Sequence, residues 1–101
     1  MQNKMRCDIY MLDDIYYIEA EIPGFKRENI KINVNRDNVY IDATKEDSKK
    51  YLIHETVNHL YRKFSIKNLD VNRIEAKYED GILLIKVPKK DILEKKKIEI
   101  K

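Results

Sequence analysis

The chain has 101 residues, room for one domain that buries a modest core without disulfides or metals. Its 21 lysines and arginines against 18 acids leave a net charge of +3, with the signs interspersed, which excludes the clustered basic face of a nucleic-acid binder. No apolar run approaches the roughly 18 residues of a membrane span, the first residues lack a signal-peptide core, and the single Cys7 cannot bridge within the chain, so the expected location is the cytoplasm.

Alternation at period two recurs in almost every segment while helical periodicity is scarce, which predicts an all-β chain. Asp8 to Leu12 reads as a first short strand and Asp13-Asp14 as a turn. From Ile15 to Ile22 one face carries Tyr16, Ile18, Ala20 and Ile22, a core face, until Pro23-Gly24 ends the strand. Residues 25–29 form a loop from which Phe25 folds back on the end of the core. Ile30, Ile32 and Val34 alternate with Lys31, Asn33 and Asn35; after a tight turn at residues 36–38, Val39, Ile41 and Ala43 give the second arm of an antiparallel hairpin. Residues 45–50 are polar. Tyr51 to Val57 has a weaker alternation that suits an edge or projecting strand.

Leu60, Arg62, Phe64 and Ile66 share a face of the next strand, and a guanidinium on such a face needs a carboxylate. Leu69 and Val71 anchor the following connection. Ile74, Ala76 and Tyr78 open the penultimate strand, Asp80-Gly81 is a hairpin signal, and Ile82 to Val87, apolar but for Lys86, reads as a central strand covered on both faces and stopped by Pro88. Eight short strands predict a two-sheet antiparallel, immunoglobulin-like β-sandwich. After it, residues 89–97 are polar, with Lys95-Lys96-Lys97 a solvated tether. Ile98 and Ile100 then form a two-pronged apolar plug, because residues i and i+2 of an extended chain point the same way. The same pair could instead close its own sandwich as a last strand.

No constellation for chemistry emerges. His54 and His59 are not spaced for a metal, the paired acids Asp13-Asp14 and Glu46-Asp47 lack a histidine or serine nearby, and the tyrosines suit strand faces rather than base stacking. Catalytic residues, metal ligands and cofactors are therefore all expected to be absent, and no enzyme activity is expected. Cys7 reads as a bystander.

Four ordered segments carry a resemblance to the α-crystallin domain of the small heat-shock proteins: Ala20-Glu21-Ile22-Pro23-Gly24-Phe25, Asn29 to Val34, Ala76 to Lys89 with its Asp80-Gly81-Ile82-Leu83 and Val87-Pro88-Lys89, and Ile98-Glu99-Ile100. On this resemblance residues 1–7 are a very short N-terminal arm, 8–88 the α-crystallin domain and 89–101 an extension with an I-x-I motif. The resemblance implies an ATP-independent holdase of the stress response that binds partly unfolded clients, assembles as a dimer and a higher homo-oligomer through tails docking on neighbouring subunits, and touches neither nucleic acid nor membrane. It implies that Ile98 and Ile100 enter a groove made by Ile30, Ile32, Val34, Ile74, Ala76 and Tyr78. It also implies a dimer interface with Arg62 paired to acids and with Tyr51 and Ile53 on a strand carried across to the partner's sheet. Other readings are a scaffold of the same sandwich without strong client binding, or a co-chaperone adaptor that docks on an ATP-driven chaperone.

Overall fold

The computed structural model describes residues 5–90 and 98–101. Seven strands form among them: β1 (Arg6–Leu12), β2 (Ile15–Glu21), β3 (Ile30–Asn35), β4 (Asn38–Thr44), β5 (His59–Ser65), β6 (Glu75–Glu79) and β7 (Ile82–Pro88). They make two antiparallel sheets, β1-β2-β7-β6 and β3-β4-β5. The all-β sandwich read from period-two alternation is what forms, with β1 starting two residues before the expected Asp8.

Between the sheets, β2 contributes Ile18 and Ala20, β4 contributes Val39, Ile41 and Ala43, and β7 contributes Leu83, Ile85 and Val87, all buried. Alternation puts each set on one face. Phe25, Ile66 and Leu69 close the ends, and Met5, ahead of β1, is buried as deeply as the strand residues. The tether at 95–97 and residues 1–4 lie outside the described residues.

Three departures from the sequence reading have physical causes. The strand expected over residues 51–57 does not form; Leu52 and Ile53 are exposed, because a strand exists only where another strand completes its ladder and this loop reaches none within the chain. Strand β7 is central by pairing, flanked by β2 and β6, yet only its inner face is dry: Ile82 is exposed, and Leu84 and Lys86 are half-buried on the outer face of the sheet. Val71 is exposed and anchors nothing, whereas Leu69 is buried.

The turns are short and need left-handed backbone. In the β1–β2 hairpin Asp13 and Asp14 adopt φ of 50° and 64°, and in the β6–β7 hairpin Asp80 and Gly81 adopt 53° and 77°. Positive φ at both central residues matches the right-handed twist of the flanking strands. Gly81 has a second reason to lack a side chain: a Cβ there would lie 3.2 Å from the Pro23 Cα and 3.3 Å from its Cβ. Ile22 donates its N–H to the Gly81 carbonyl at 2.8 Å, so the corner after β2 rests directly on the β6–β7 turn.

Gly81→Ala is expected to destabilise the fold by about 1–3 kcal/mol, from left-handed strain plus displacement of Pro23. Arg36→Gly, at a turn residue with φ of 58°, is expected to stabilise it by up to about 1 kcal/mol. Urea unfolding midpoints measure both, and a Gly81→Ala midpoint equal to wild type contradicts the close approach.

Candidate docking edges

Each sheet ends in two strands with a single partner. β3 pairs only with β4, β6 only with β7, β1 only with β2 and β5 only with β4. Stacking of the sheets sets β3 beside β6 along one side and β1 beside β5 along the other.

On the β3/β6 side a groove of about 470 Å3 is lined by Ile30, Ile32, Ala76 and Tyr78, together with Arg27, Lys77, Glu79 and Leu83. Four of the six residues expected for a tail groove therefore meet in one place. Val34 and Ile74 do not line it; both are half-buried and pack against the core. Alternation explains the lining, since Ile30 and Ile32 face inward at a sheet edge too narrow to cover them. Tyr78 sends its hydroxyl inward, 2.6 Å from the Ile22 carbonyl and 2.9 Å from that of Phe25, which share its single proton. The phenol thus ties β6, one wall of the groove, to both sides of the Pro23-Gly24 corner that leads on to β3. Leu83 has a sequence signal in the apolar alternation of β7, whereas Arg27 has none, since it arrives through the single-turn 3-10 helix Arg27–Asn29.

The tail isoleucines lie apart from that groove. Ile98 is 82% and Ile100 95% exposed, so neither serves as a last strand of its own sandwich.

On the β1/β5 side Arg62 is half-buried on β5 and donates to the Met5 carbonyl at 2.7 Å. Its guanidinium also sits 5.0 Å from the centre of the Phe64 ring. The carboxylates of Asp8, Glu19 and Glu21 line the same concavity of about 610 Å3. Among the described residues Arg62 forms no ion pair, Glu21 being taken by Arg6 at 3.7 Å. Cys7 borders this concavity; burial pushes its thiol pKa up, and the nearby Arg62 charge offsets part of that. The thiol stays protonated and unreactive near neutral pH. Ile9 and Met11 face inward on β1, opposite Ile18 and Tyr16, yet are 43% and 41% exposed because the three-stranded sheet does not extend under them.

Residues 46–57 form the loop between β4 and β5, closed at its base by the Lys45 N–H on the Asn58 carbonyl at 2.8 Å. Asp47 accepts from the Lys49 N–H at 2.9 Å and from the Tyr51 hydroxyl, and Tyr51 stacks on His54 at 4.2 Å. Of the residues expected at a dimer interface, Tyr51 and Ile53 are on this loop, 43% and 77% exposed, while Arg62 is across the sandwich edge from β1. His59 pairs with Asp42 at 3.0 Å on the surface, and no group of three or more metal-ligating side chains occurs among the described residues. No helix there is long and apolar enough to cross a membrane.

An antiparallel two-sheet sandwich with an apolar groove at one pair of edges is the architecture of an α-crystallin domain. The Hsp20/alpha crystallin family model matches residues 8–101, and the chain belongs to that family. Heat shock protein HSP.16.4 of Streptococcus thermophilus is 35% identical over 95 residues, covering 86% of this chain and 67% of the relative. Small heat shock protein C4 of Rickettsia felis is 35% identical over 102 residues, covering 94% and 63%. The chain thus spans about two thirds of the length of these curated relatives. Among solved structures, a small heat-shock protein from Xylella fastidiosa superposes with a TM-score of 0.76 at 19% identity, over 96% of this chain and 95% of that one. Heat shock protein 16.0 from Schizosaccharomyces pombe gives 0.75 at 22% identity, over 97% and 76%. These structural likenesses concern the fold.

Tyr78→Phe is expected to destabilise the domain by about 1–3 kcal/mol, because two carbonyls lose their donor at a buried corner. Thermal and urea unfolding measure it; a wild-type midpoint would show that water replaces the hydroxyl without cost.

Proposed function

We propose that this protein is an ATP-independent holdase of the small heat-shock type, which assembles with copies of itself and keeps partly unfolded clients from aggregating. The observation that carries the reading is the pairing, on one chain, of an apolar edge groove at Ile30, Ile32, Ala76 and Tyr78 with an undocked Ile98/Ile100 plug. Groove and plug are complementary in size and polarity, and an edge strand binds an extended segment by main-chain bonds while alternate side chains enter pockets. Burying each isoleucine is worth up to about 1.5–3 kcal/mol, less the ordering of the tail, so one contact is reversible and several together are firm. That energy scale suits subunits that exchange.

In this reading the dimer forms along the β1/β5 side. The loop at residues 51–57 completes its ladder on the partner's free β1 edge, where Tyr51 and Ile53, which share a face of an extended strand, cover the overhanging Ile9 and Met11. Arg62 then meets a carboxylate of the partner at the acid-lined concavity. The solved Xylella relative is described as having a distinct high order structure, which is compatible with assembly built this way. Clients, unfolded segments with exposed apolar side chains, compete for the same surfaces. Neither a cofactor nor a catalytic step enters the proposal, and the proposed place of action is the cytoplasm.

Two measurements test it. Ile98→Ala with Ile100→Ala is expected to reduce the assembly to dimers in sizing with light scattering; an unchanged mass would show the plug is not intermolecular. When an aggregation-prone enzyme is heated with this chain, light scattering is expected to be suppressed at near-equal mass. No suppression would favour a scaffold of the same fold, and suppression only beside an ATP-driven chaperone would favour an adaptor.

A further inference from the structure

The β6–β7 ladder does not stop where β6 begins. After the single-turn 3-10 helix Val71–Arg73 interrupts it, the connection before that helix pairs with the residues after β7: Leu69 bridges Lys89 in antiparallel fashion. The Asp70 N–H donates to the Pro88 carbonyl at 2.8 Å and the Lys90 N–H to the Asn68 carbonyl at 2.7 Å. Arg73 crosses this junction, with Nε 2.9 Å from Asp70 Oδ2 and a terminal nitrogen donating to the Lys89 carbonyl at 2.8 Å. Asp70 in turn accepts from the Asn72 N–H at 3.1 Å, which fixes its carboxylate for Arg73. Residues 88–90 are thereby held as a straight continuation of β7.

That direction leads away from the chain's own groove. Ala76 and Tyr78 pair with Ile85 and Leu83, so from Lys90 the groove lies five to seven residues back along β7, about 17–23 Å at about 3.3 Å per residue. Eight residues lead from Lys90 to Ile98. A chain reversal consumes about four of them, and the remaining four span about 13 Å when extended. With the junction closed, a four-residue reversal leaves Ile98 about 3–4 Å short of even the near end of its own groove, so self-plugging is disfavoured. Were the chain free from Pro88 onward, ten residues would be available and the groove would lie three to five residues back. Six residues after the reversal span about 20 Å against about 10–17 Å needed, and self-plugging comes within reach.

We propose that Arg73 and Asp70 form a clamp that makes tail docking intermolecular, by holding Pro88 to Lys90 in line with β7 so that Ile98 and Ile100 reach only the groove of a neighbouring copy. Arg73 is a positioning residue; it touches neither plug nor groove. The proposal rests on the plug-and-groove reading above and adds to it the choice between a chain's own groove and another's. Because a tail tethered to its own groove competes at high effective concentration, loosening the clamp converts assembled subunits into self-plugged ones.

The test is native mass spectrometry of the full chain carrying Arg73→Gln and, separately, Asp70→Asn, each checked for a folded β spectrum. Each is expected to lower the weight-average mass about twofold or more at fixed concentration, since intramolecular docking outcompetes assembly. On the Ile98→Ala/Ile100→Ala background, Arg73→Gln is expected to change the mass no further. A synthetic peptide of residues 92–101 is expected to bind that background equally with and without Arg73→Gln, because the groove is untouched. Wild-type mass for both clamp variants overturns the proposal, as does a further fall in mass on the plug-less background or weakened peptide binding. If the plug substitutions alone leave the mass unchanged, the plug-and-groove reading itself fails, and that result is separate from the clamp variants.

Discussion

Everything that positions the groove depends on one corner, where the chain leaves the four-stranded sheet for the three-stranded one. Pro23 halts β2, Gly24 turns with φ of 83°, and the corner lies on the β6–β7 turn with only the missing side chain of Gly81 to make room. The Ile22 N–H bond to Gly81 and the Tyr78 hydroxyl fasten it from two directions. The crossing is what brings β3 alongside β6, two strands far apart in the chain and in different sheets. Lys45 adds a smaller contribution at the same end, its ammonium 4.7 Å from the centre of the Phe25 ring.

A small sandwich with seven strands among the described residues keeps exposed edges, and exposed edges invite uncontrolled pairing. This chain deters such pairing with charge and polarity: Lys31, Asn33 and Asn35 project from β3, and Glu75, Lys77 and Glu79 from β6. The apolar side chains beneath them remain accessible only to a segment narrow enough to lie between the charged rims. In the proposed docking, specificity on this side comes from excluding broad surfaces as much as from attracting a branched aliphatic pair.

The sandwich was legible because its alternation is strict where it matters: Ile18-Ala20, Val39-Ile41-Ala43 and Leu83-Ile85-Val87 each fall on one face, and those faces make the core. The groove was partly legible, since Ile30, Ile32, Ala76 and Tyr78 carry both alternation and motif, but alternation cannot tell a residue lining an edge from one supporting it, as Val34 and Ile74 do. Residues 51–57 misled because their pattern suits a strand while a ladder needs a second strand, and no single-chain pattern encodes whether one is present. Arg27, the hydroxyl of Tyr78 and the bond from Arg62 to Met5 escaped because they join positions 53 or more apart in the chain, or arrive through a turn without periodicity. The straight exit of β7 was hidden for a related reason: the 3-10 turn at 71–73 breaks the register, so residues 68–70 do not look like a continuation of β6.

The outer face of the four-stranded sheet carries Tyr10 on β1 stacked against Tyr17 on β2, ring centres 5.4 Å apart and planes 15° from parallel, with the Tyr10 hydroxyl 2.8 Å from Glu19. The chain contains no tryptophan. Intrinsic fluorescence of this protein is accordingly that of tyrosine and its near-ultraviolet dichroism carries no indole band, and the stacked ring pair straddles β2 and β1, the strand proposed to receive a partner. The molecule therefore carries a built-in optical reporter on β1, and indole emission from any mixture belongs wholly to the other protein in the tube.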